Sequence, residues 1–157
     1  MRTTGDGTSA LRKMGDLLRI VEMLSDVPAR TAAVAAPRLD ALVRQQFANG
    51  TDPYGRPWAP LKASTIARGR RPPPLTASGR LAAGTGVKVR PGKRAGLAIR
   101  IGAPYGTFHQ TGTRYMVARR IAPQFGLPKE WRRVLTEASR EACQSVELTG
   151  ARGGASA

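Results

Sequence analysis

Long runs of hydrophobic residues at helical spacing occur only towards the two ends of this sequence, which limits the possible folds more than any other feature. In the N-terminal third, apolar residues recur at three- and four-residue steps. The first run predicts an amphipathic helix from about Ser9, its N-cap, to Ser25. Its apolar residues are Leu11, Met14, Leu17, Leu18, Val21 and Leu24. A second helix is expected from Asp26 to about Phe47, and Pro37 should kink or divide it.

A third helical run lies near the C-terminus, after Pro128. Its apolar residues are Trp131, Val134, Leu135, Ala138, Ala142 and Val146. Between the ends, proline and glycine interrupt every pattern, and the clearest signal is the alternation of Val87 and Val89, then Leu97, Ile99 and Ile101. This alternation predicts a β-hairpin that turns at residues 91–96, with Lys88, Arg90 and Arg100 on its polar face.

Weaker patterns complete the central part of the chain. Residues 64–70 and 75–83 favour short helices, and the three prolines at 72–74 favour an extended segment. Tyr115, Val117 and Ile121 suggest one more short strand. The prediction is an α+β fold, with N-terminal helices, a small antiparallel sheet containing a central hairpin, and a C-terminal amphipathic helix.

The chain has 157 residues, a length that suits one domain, which we expect at residues 9–147. Residues 1–8 and 148–157 are rich in small and polar residues and are expected to be disordered. No run of apolar residues is long enough to span a membrane, and no signal peptide is recognisable, so a soluble, unexported protein is expected.

The positive charge lies mainly in the middle of the chain. The formal net charge is +16, and residues 53–129 contain fifteen Lys and Arg residues and no Asp or Glu. Such a segment suits phosphates or the acidic surface of another protein, although a merely solvated face would have the same composition. The residues proposed to contact a polyanion or an acidic partner are Arg68, Arg70, Arg71, Lys88, Arg90, Lys93 and Arg94.

The sequence offers little for catalysis or for cofactors. One cysteine, Cys143, and one histidine, His109, exclude an intramolecular disulfide and a four-ligand Cys/His zinc site. The glycines match no phosphate-binding loop, so no cofactor and no enzymatic activity are expected. An enzyme using His109 or Cys143 is the most remote alternative, because His109 is more typical of a structural residue and Cys143 of a small packing residue.

Three segments taken in order resemble the virion morphogenesis proteins of tailed bacteriophages, which include the tail-completion proteins of Mu-like phages. They are QFANGTDPYGRPWAPL at 46–61, LTASGRL at 75–81 and IGAPYGTFHQTG at 101–112. The segment MVARRIAPQFG at 116–126 stands where that family has a proline-alanine-arginine-proline element, with Val117 in place of a proline. The resemblance covers about residues 40–135.

This resemblance implies a non-enzymatic virion protein of the head–tail neck, or tail terminator, that assembles in the host cytoplasm. It implies a ring, commonly of six copies, that contacts the head–tail connector or stopper proteins and the tail tube, with possible non-specific contact with phage DNA and none with membranes. The residues suggested for the subunit interface are Trp58, Tyr105, Phe108, His109, Gln110, Gly112 and Arg119. The same motifs could instead serve only to hold the domain together, and a basic nucleic-acid-binding protein remains the alternative function.

Overall fold

The computed structural model describes residues 6–91 and 95–153, which form five helices and one two-stranded sheet. The elements in chain order are α1 (Asp6–Asn49), α2 (Ala63–Ala67), α3 (Arg80–Gly84), β1 (Gly86–Arg90), β2 (Gly96–Arg100), α4 (Gly106–Thr111) and α5 (Lys129–Gly153). The predicted α+β class is confirmed.

The first helix is continuous where two helices were predicted. α1 spans 44 residues, begins before Ser9, and contains both Pro28 and Pro37. Each proline removes one backbone hydrogen bond, to the carbonyl four residues earlier, here Leu24 and Ala33. Both prolines and both of those residues are exposed, so water can hydrate the freed carbonyls and the helix continues. The predicted break between residues 25 and 26 is therefore wrong, and so is a division of the helix at Pro37.

The core lies between the C-terminal half of α1 and the helix α5. Leu39 and Val43 of α1 are each 1% exposed, and Ala138 of α5 is fully buried. The guanidinium of Arg38 donates to both carboxylate oxygens of Glu141, at 2.8 and 2.9 Å. Farther along, Arg30 Nη1 donates to Ser145 Oγ at 3.3 Å, so the two helices run in opposite directions.

The hairpin is confirmed, with its two strands antiparallel and in the predicted positions. Val87 pairs with Ile99, and Val89 pairs with Leu97, so these four apolar residues share one face. Val87 is buried against α1, and its backbone N–H donates to Asp40 Oδ1 at 3.1 Å. The turn residues Gly92, Lys93 and Arg94 lie outside the described residues.

Three local predictions are changed by the structure, and one segment without a prediction forms a helix. The prolines at 72–74 form a bend containing a cis peptide bond at Pro72–Pro73, where an extended segment was expected. Residues 115–121 form no strand, and only an isolated bridge joins Thr113 to Met116. Residues 106–111, which had no clear prediction, form α4. α5 continues to Gly153, past the expected start of a disordered tail, while residues 1–5 and 154–157 lie outside the described residues.

Candidate interaction surface

The turn that follows α1 is fixed by its own side chains. Asp52 Oδ1 accepts hydrogen bonds from the backbone N–H groups of Tyr54 and Arg56, both at 2.8 Å. The turn delivers Trp58 into the core, where its ring meets the ring of Phe47 edge-on with centroids 5.4 Å apart. The indole N–H of Trp58 donates to the carbonyl of Arg120 at 2.8 Å. One side chain thus joins the end of α1 to the segment before α5.

Gln110, on α4, also binds the segment before α5. Its Oε1 accepts from the backbone N–H groups of Ile121 and Ala122, at 2.8 and 3.0 Å, and its Nε2 donates to the Ala122 carbonyl at 2.8 Å. The backbone groups that a strand would have paired are therefore satisfied by a side chain. This explains why residues 117–121 remain irregular.

Gly112 ends α4 with a φ of +79°, a conformation that favours glycine. A Cβ at this position would lie 3.0 Å from the backbone nitrogen of Ala118. The short spacing of His109, Gln110 and Gly112 in the sequence therefore matches a structural unit: the helix ends, the chain turns, and the His109 carbonyl accepts from the Arg119 N–H at 2.7 Å.

Arg119 is a buried cation that binds backbone carbonyls. It is 8% exposed, and its guanidinium donates to the carbonyls of Ala59 at 2.7 Å and Pro60 at 2.8 Å. Burial lowers the pKa of this guanidinium from its ordinary value. Arginine nevertheless remains protonated near neutral pH, so Arg119 places a fixed positive charge beneath the surface formed by these loops.

These loops enclose a cavity of about 680 Å³, which we call the groove. Its lining residues are drawn from the ranges 60–65, 70–81, 105–109 and 115–119. Its walls include the apolar side chains of Leu75, Tyr105 and Met116. Its basic lining residues are Lys62, Arg70, Arg71, Arg80 and Arg119. All of the lining residues fall within the acid-free interval, so the groove has no carboxylate of its own.

One wall of the groove contains a strained residue. Leu75 has a φ of +70°, in the left-handed region that side chains rarely occupy, at a cost of about 1–2 kcal/mol. Next to it, Thr76 Oγ1 donates to the Pro73 carbonyl at 2.7 Å. A residue is kept in such a conformation only where its surroundings fix it, and such positions cluster at binding sites. The half-buried Leu75 side chain lines the groove.

His109 also lines the groove and is held in its neutral form. Burial, and secondarily the positive charge of Arg119, lowers the pKa of His109 below its ordinary 6.5. Its ring lies edge-on to that of Tyr105, with centroids 6.0 Å apart. Nδ1 is buried and has no hydrogen-bond partner among the described residues. Tyr105, in contrast, is 41% exposed at the groove surface.

The suggested interface residues are divided by the structure into two sets. Tyr105, His109 and Arg119 line the groove, together with Arg70 and Arg71 from the basic set. Trp58, Gln110 and Gly112 serve internal contacts. Trp58 is 5% exposed and packs in the core, in agreement with the alternative that its motif holds the domain together. Phe108 is 56% exposed and lies outside the groove lining.

The other described residues of the basic set lie away from the groove lining. Lys88 and Arg90 are exposed on β1, and Lys88 and Arg100 border a second hollow between α1 and the hairpin. Arg68 is exposed after α2. Lys93 and Arg94 lie outside the described residues. The basic residues therefore occupy at least two regions of the surface.

Chemistry of the enzymatic kind gains no support from these positions. Cys143 is exposed on α5, so its predicted packing role is wrong. In the described part of the chain, no cluster of three or more His, Cys, Asp or Glu residues could hold a metal ion. None of the described helices is long and apolar enough to cross a bilayer.

The sequence analysis did not predict that part of α1 stays uncovered by the other elements among the described residues. Met14, Leu17, Leu18, Val21 and Leu24 are between 58% and 63% exposed, although their spacing led us to expect a buried helix face. It also missed Leu75, Tyr115 and Met116 of the groove. Their apolar character was visible in the sequence, but no local pattern brings residues 40 positions apart together.

Comparison with known proteins places this chain by its sequence. No curated protein and no solved structure matches it significantly. Residues 3–149, which are most of the chain, match the model of the phage virion morphogenesis family. The match includes the turn at Asp52, Gln110, all of α1 and most of α5, so the chain belongs to the phage virion morphogenesis family and has a structural or assembly role in a phage particle.

Proposed function

We propose that this protein is a tail-completion or tail-terminator protein of the head–tail neck, which forms a ring that joins the tail to the head connector. The observation that carries this proposal is the family match over residues 3–149. Two features of the surface support it. The groove combines apolar walls with Arg70 and Arg71, which form no salt bridge among the described residues, and a second apolar surface lies on α1.

The proposed partners are further copies of this chain in a ring of six, the connector or stopper proteins, and the tail tube. The groove residues Tyr105, His109, Arg70 and Arg71 are proposed to face a protein partner. A channel that conducts DNA should bind phosphates weakly, because tight contacts would impede passage. We therefore assign the arginines around the groove to acidic protein surfaces.

The test is made on the phage whose genome encodes this chain. Deletion of the gene should give filled heads and separate tails that fail to join, as seen by electron microscopy of lysates. Supplying the wild-type chain from a plasmid should restore joined, infectious particles. Cryo-electron microscopy of these particles should show a ring at the neck into which the chain can be built. Normal infectious particles without the protein would reject the proposal.

Nucleic-acid binding is the second candidate, and the exposed cations Arg68, Arg70 and Arg71 favour it. If it is the function, duplex DNA or RNA should bind with submicromolar affinity, and the logarithm of the affinity should fall steeply with the logarithm of salt concentration. Fluorescence anisotropy across a salt series measures both. The absence of binding at low ionic strength would exclude this candidate.

A further inference from the structure

The N-terminal half of α1 repeats the face that its C-terminal half buries. In an α-helix, eighteen residues make about five complete turns, so residues eighteen apart lie on the same face. Met14, Leu17 and Val21 precede Ala32, Ala35 and Leu39 by that interval. The three later residues are at most 3% exposed, whereas the three earlier ones are about 60% exposed.

We call residues 6–28 the arm, and its side chains Met14, Leu17, Leu18, Val21 and Leu24 the stripe. At about 1.5 Å per residue, the arm is about 34 Å long. α5 covers the same helix face farther along, and its contact with Arg30 lies just beyond the arm. An exposed apolar stripe of this length marks a contact with another protein.

The charges of the arm identify the kind of surface that it fits. The arm contains four acidic and three basic residues, in a chain whose net charge is +16. Elsewhere, carboxylates such as Asp40, Glu130 and Glu141 form ion pairs within the chain. Asp16, Glu22 and Asp26 take part in none of the salt bridges among the described residues. They are thus available to cations of another molecule.

The groove has the complementary character. It offers apolar walls at Leu75, Tyr105 and Met116, and an arginine-rich border without a carboxylate. Arg70 and Arg71 are exposed and take part in no salt bridge among the described residues. An amphipathic helix with apolar and acidic side chains is the kind of partner that such a groove accommodates.

We propose that the arm of one copy of this chain docks in the groove of a second copy, with the stripe on the apolar walls and the carboxylates at the arginines. The arm and the groove are different surfaces, so the contact is heterologous, and repetition closes a ring when the rotation between copies permits it. This inference rests on the ring proposed above and names the surfaces that form it.

The first experiment measures self-association of the full chain by native mass spectrometry and light scattering. Val21→Glu places a charge at the centre of the stripe, and should weaken self-association by at least about tenfold. Arg19→Gln is the matched control, because it changes the net charge by the same amount and Arg19 is exposed about 160° away from Val21 around the helix. It should change the affinity by less than about threefold.

The second experiment distinguishes this contact from arm-to-arm pairing. Arg70→Glu/Arg71→Glu should also prevent assembly, whereas Lys88→Glu/Arg90→Glu, an equal charge change on the hairpin, should not. Mixing Val21→Glu with Arg70→Glu/Arg71→Glu leaves one intact arm and one intact groove. The mixture should form a 1:1 pair that grows no further. All of these side chains are exposed, and unchanged circular dichroism and melting temperature will show that each variant folds.

Several results would overturn the inference. One is a wild-type chain that stays monomeric at its highest soluble concentration. Another is an equal effect of Val21→Glu and Arg19→Gln on self-association. The third is self-pairing of the groove variant alone, which indicates arm-to-arm contact. A groove variant that loses only DNA binding would assign the groove to nucleic acid. If the protein is found at the neck while Val21→Glu assembles normally, this inference fails and the proposed function stands. If Val21→Glu prevents self-association but the protein is absent from particles, this inference stands and the proposed function fails.

Discussion

The two halves of α1 have the same hydrophobic pattern and opposite surroundings. Leu39, in the packed half, is 1% exposed, whereas Val21, five turns earlier on the same face, is 63% exposed. The shared apolar period therefore explains why both halves are helical. It does not determine which half is buried against other elements. The packed half stabilises the domain, and the arm has no such role within one copy of the chain.

The largest expected effect tests this difference directly. Leu39→Ala should reduce the free energy of unfolding by about 2–5 kcal/mol, because it leaves a cavity between α1 and α5. Leu18→Ala, at a site that is 60% exposed, should change it by less than about 0.5 kcal/mol. Urea denaturation of both variants at a concentration where the chain is monomeric measures this. Equal losses would show that the arm is packed in the free protein.

The second prediction extends the comparison to the loops. Arg119→Ala removes two hydrogen bonds from a buried cation to the carbonyls of Ala59 and Pro60, and should cost about 1.5–3 kcal/mol. Arg114→Ala changes an exposed arginine nearby and should stay within about 0.5 kcal/mol. Urea denaturation measures the free energy of unfolding of both variants. A small loss for Arg119→Ala would mean that this cation belongs to a partner contact.

In the third prediction, glycine-to-alanine substitution lowers stability in the packed domain and raises helix stability in the arm. A Cβ at Gly102 would overlap the backbone of Gly84, so Gly102→Ala should destabilise the domain by about 1–3 kcal/mol. A Cβ at Gly15, in the arm, would meet nothing within 4 Å. Gly15→Ala should therefore favour the helix by about 0.5–1 kcal/mol. Thermal melting followed by circular dichroism measures both, and a loss of helix in Gly15→Ala would indicate that the arm already has a close neighbour.

The smallest effect concerns pH. Because the pKa of His109 is lowered in the folded protein, the unfolded chain binds its proton first as the pH falls. His109 should therefore contribute a loss of stability that begins as the pH drops below about 6.5 and is complete below the folded pKa. Melting temperatures of wild type and His109→Gln between pH 8 and pH 5 should diverge in that direction. Parallel curves would show that His109 is solvated in the folded state.

Much of the fold was predictable from local patterns. The hairpin followed from alternation, since side chains on a strand face opposite sides. The last helix followed from helical spacing. Pro28 and Pro37 were misleading, because both lie at exposed positions where water can hydrate the freed carbonyls and the helix continues. Residues 117–121 were also misleading, since Gln110 binds the backbone that a strand would have paired.

The candidate site was less predictable. Tyr105, His109, Arg70 and Arg71 were identified by sequence and lie in the groove, whereas Trp58, Gln110 and Gly112 were identified by the same reasoning and serve internal contacts. A tryptophan or glutamine in a loop has the same sequence signature whether it faces the core or a partner. The groove itself joins segments up to about 60 residues apart in sequence, and no local pattern encodes that proximity.

By itself, the sequence determined the helical periods, the hairpin and its two faces, and the concentration of positive charge between residues 53 and 129. These depend on side chains close together along the chain. Only the tertiary structure decided which part of the α1 face is covered, and that Trp58 faces inwards, because both depend on contacts between distant residues. Trp58 and Arg120 are 62 positions apart. The arm remains exposed because the chain has no further element with which to cover it among the described residues.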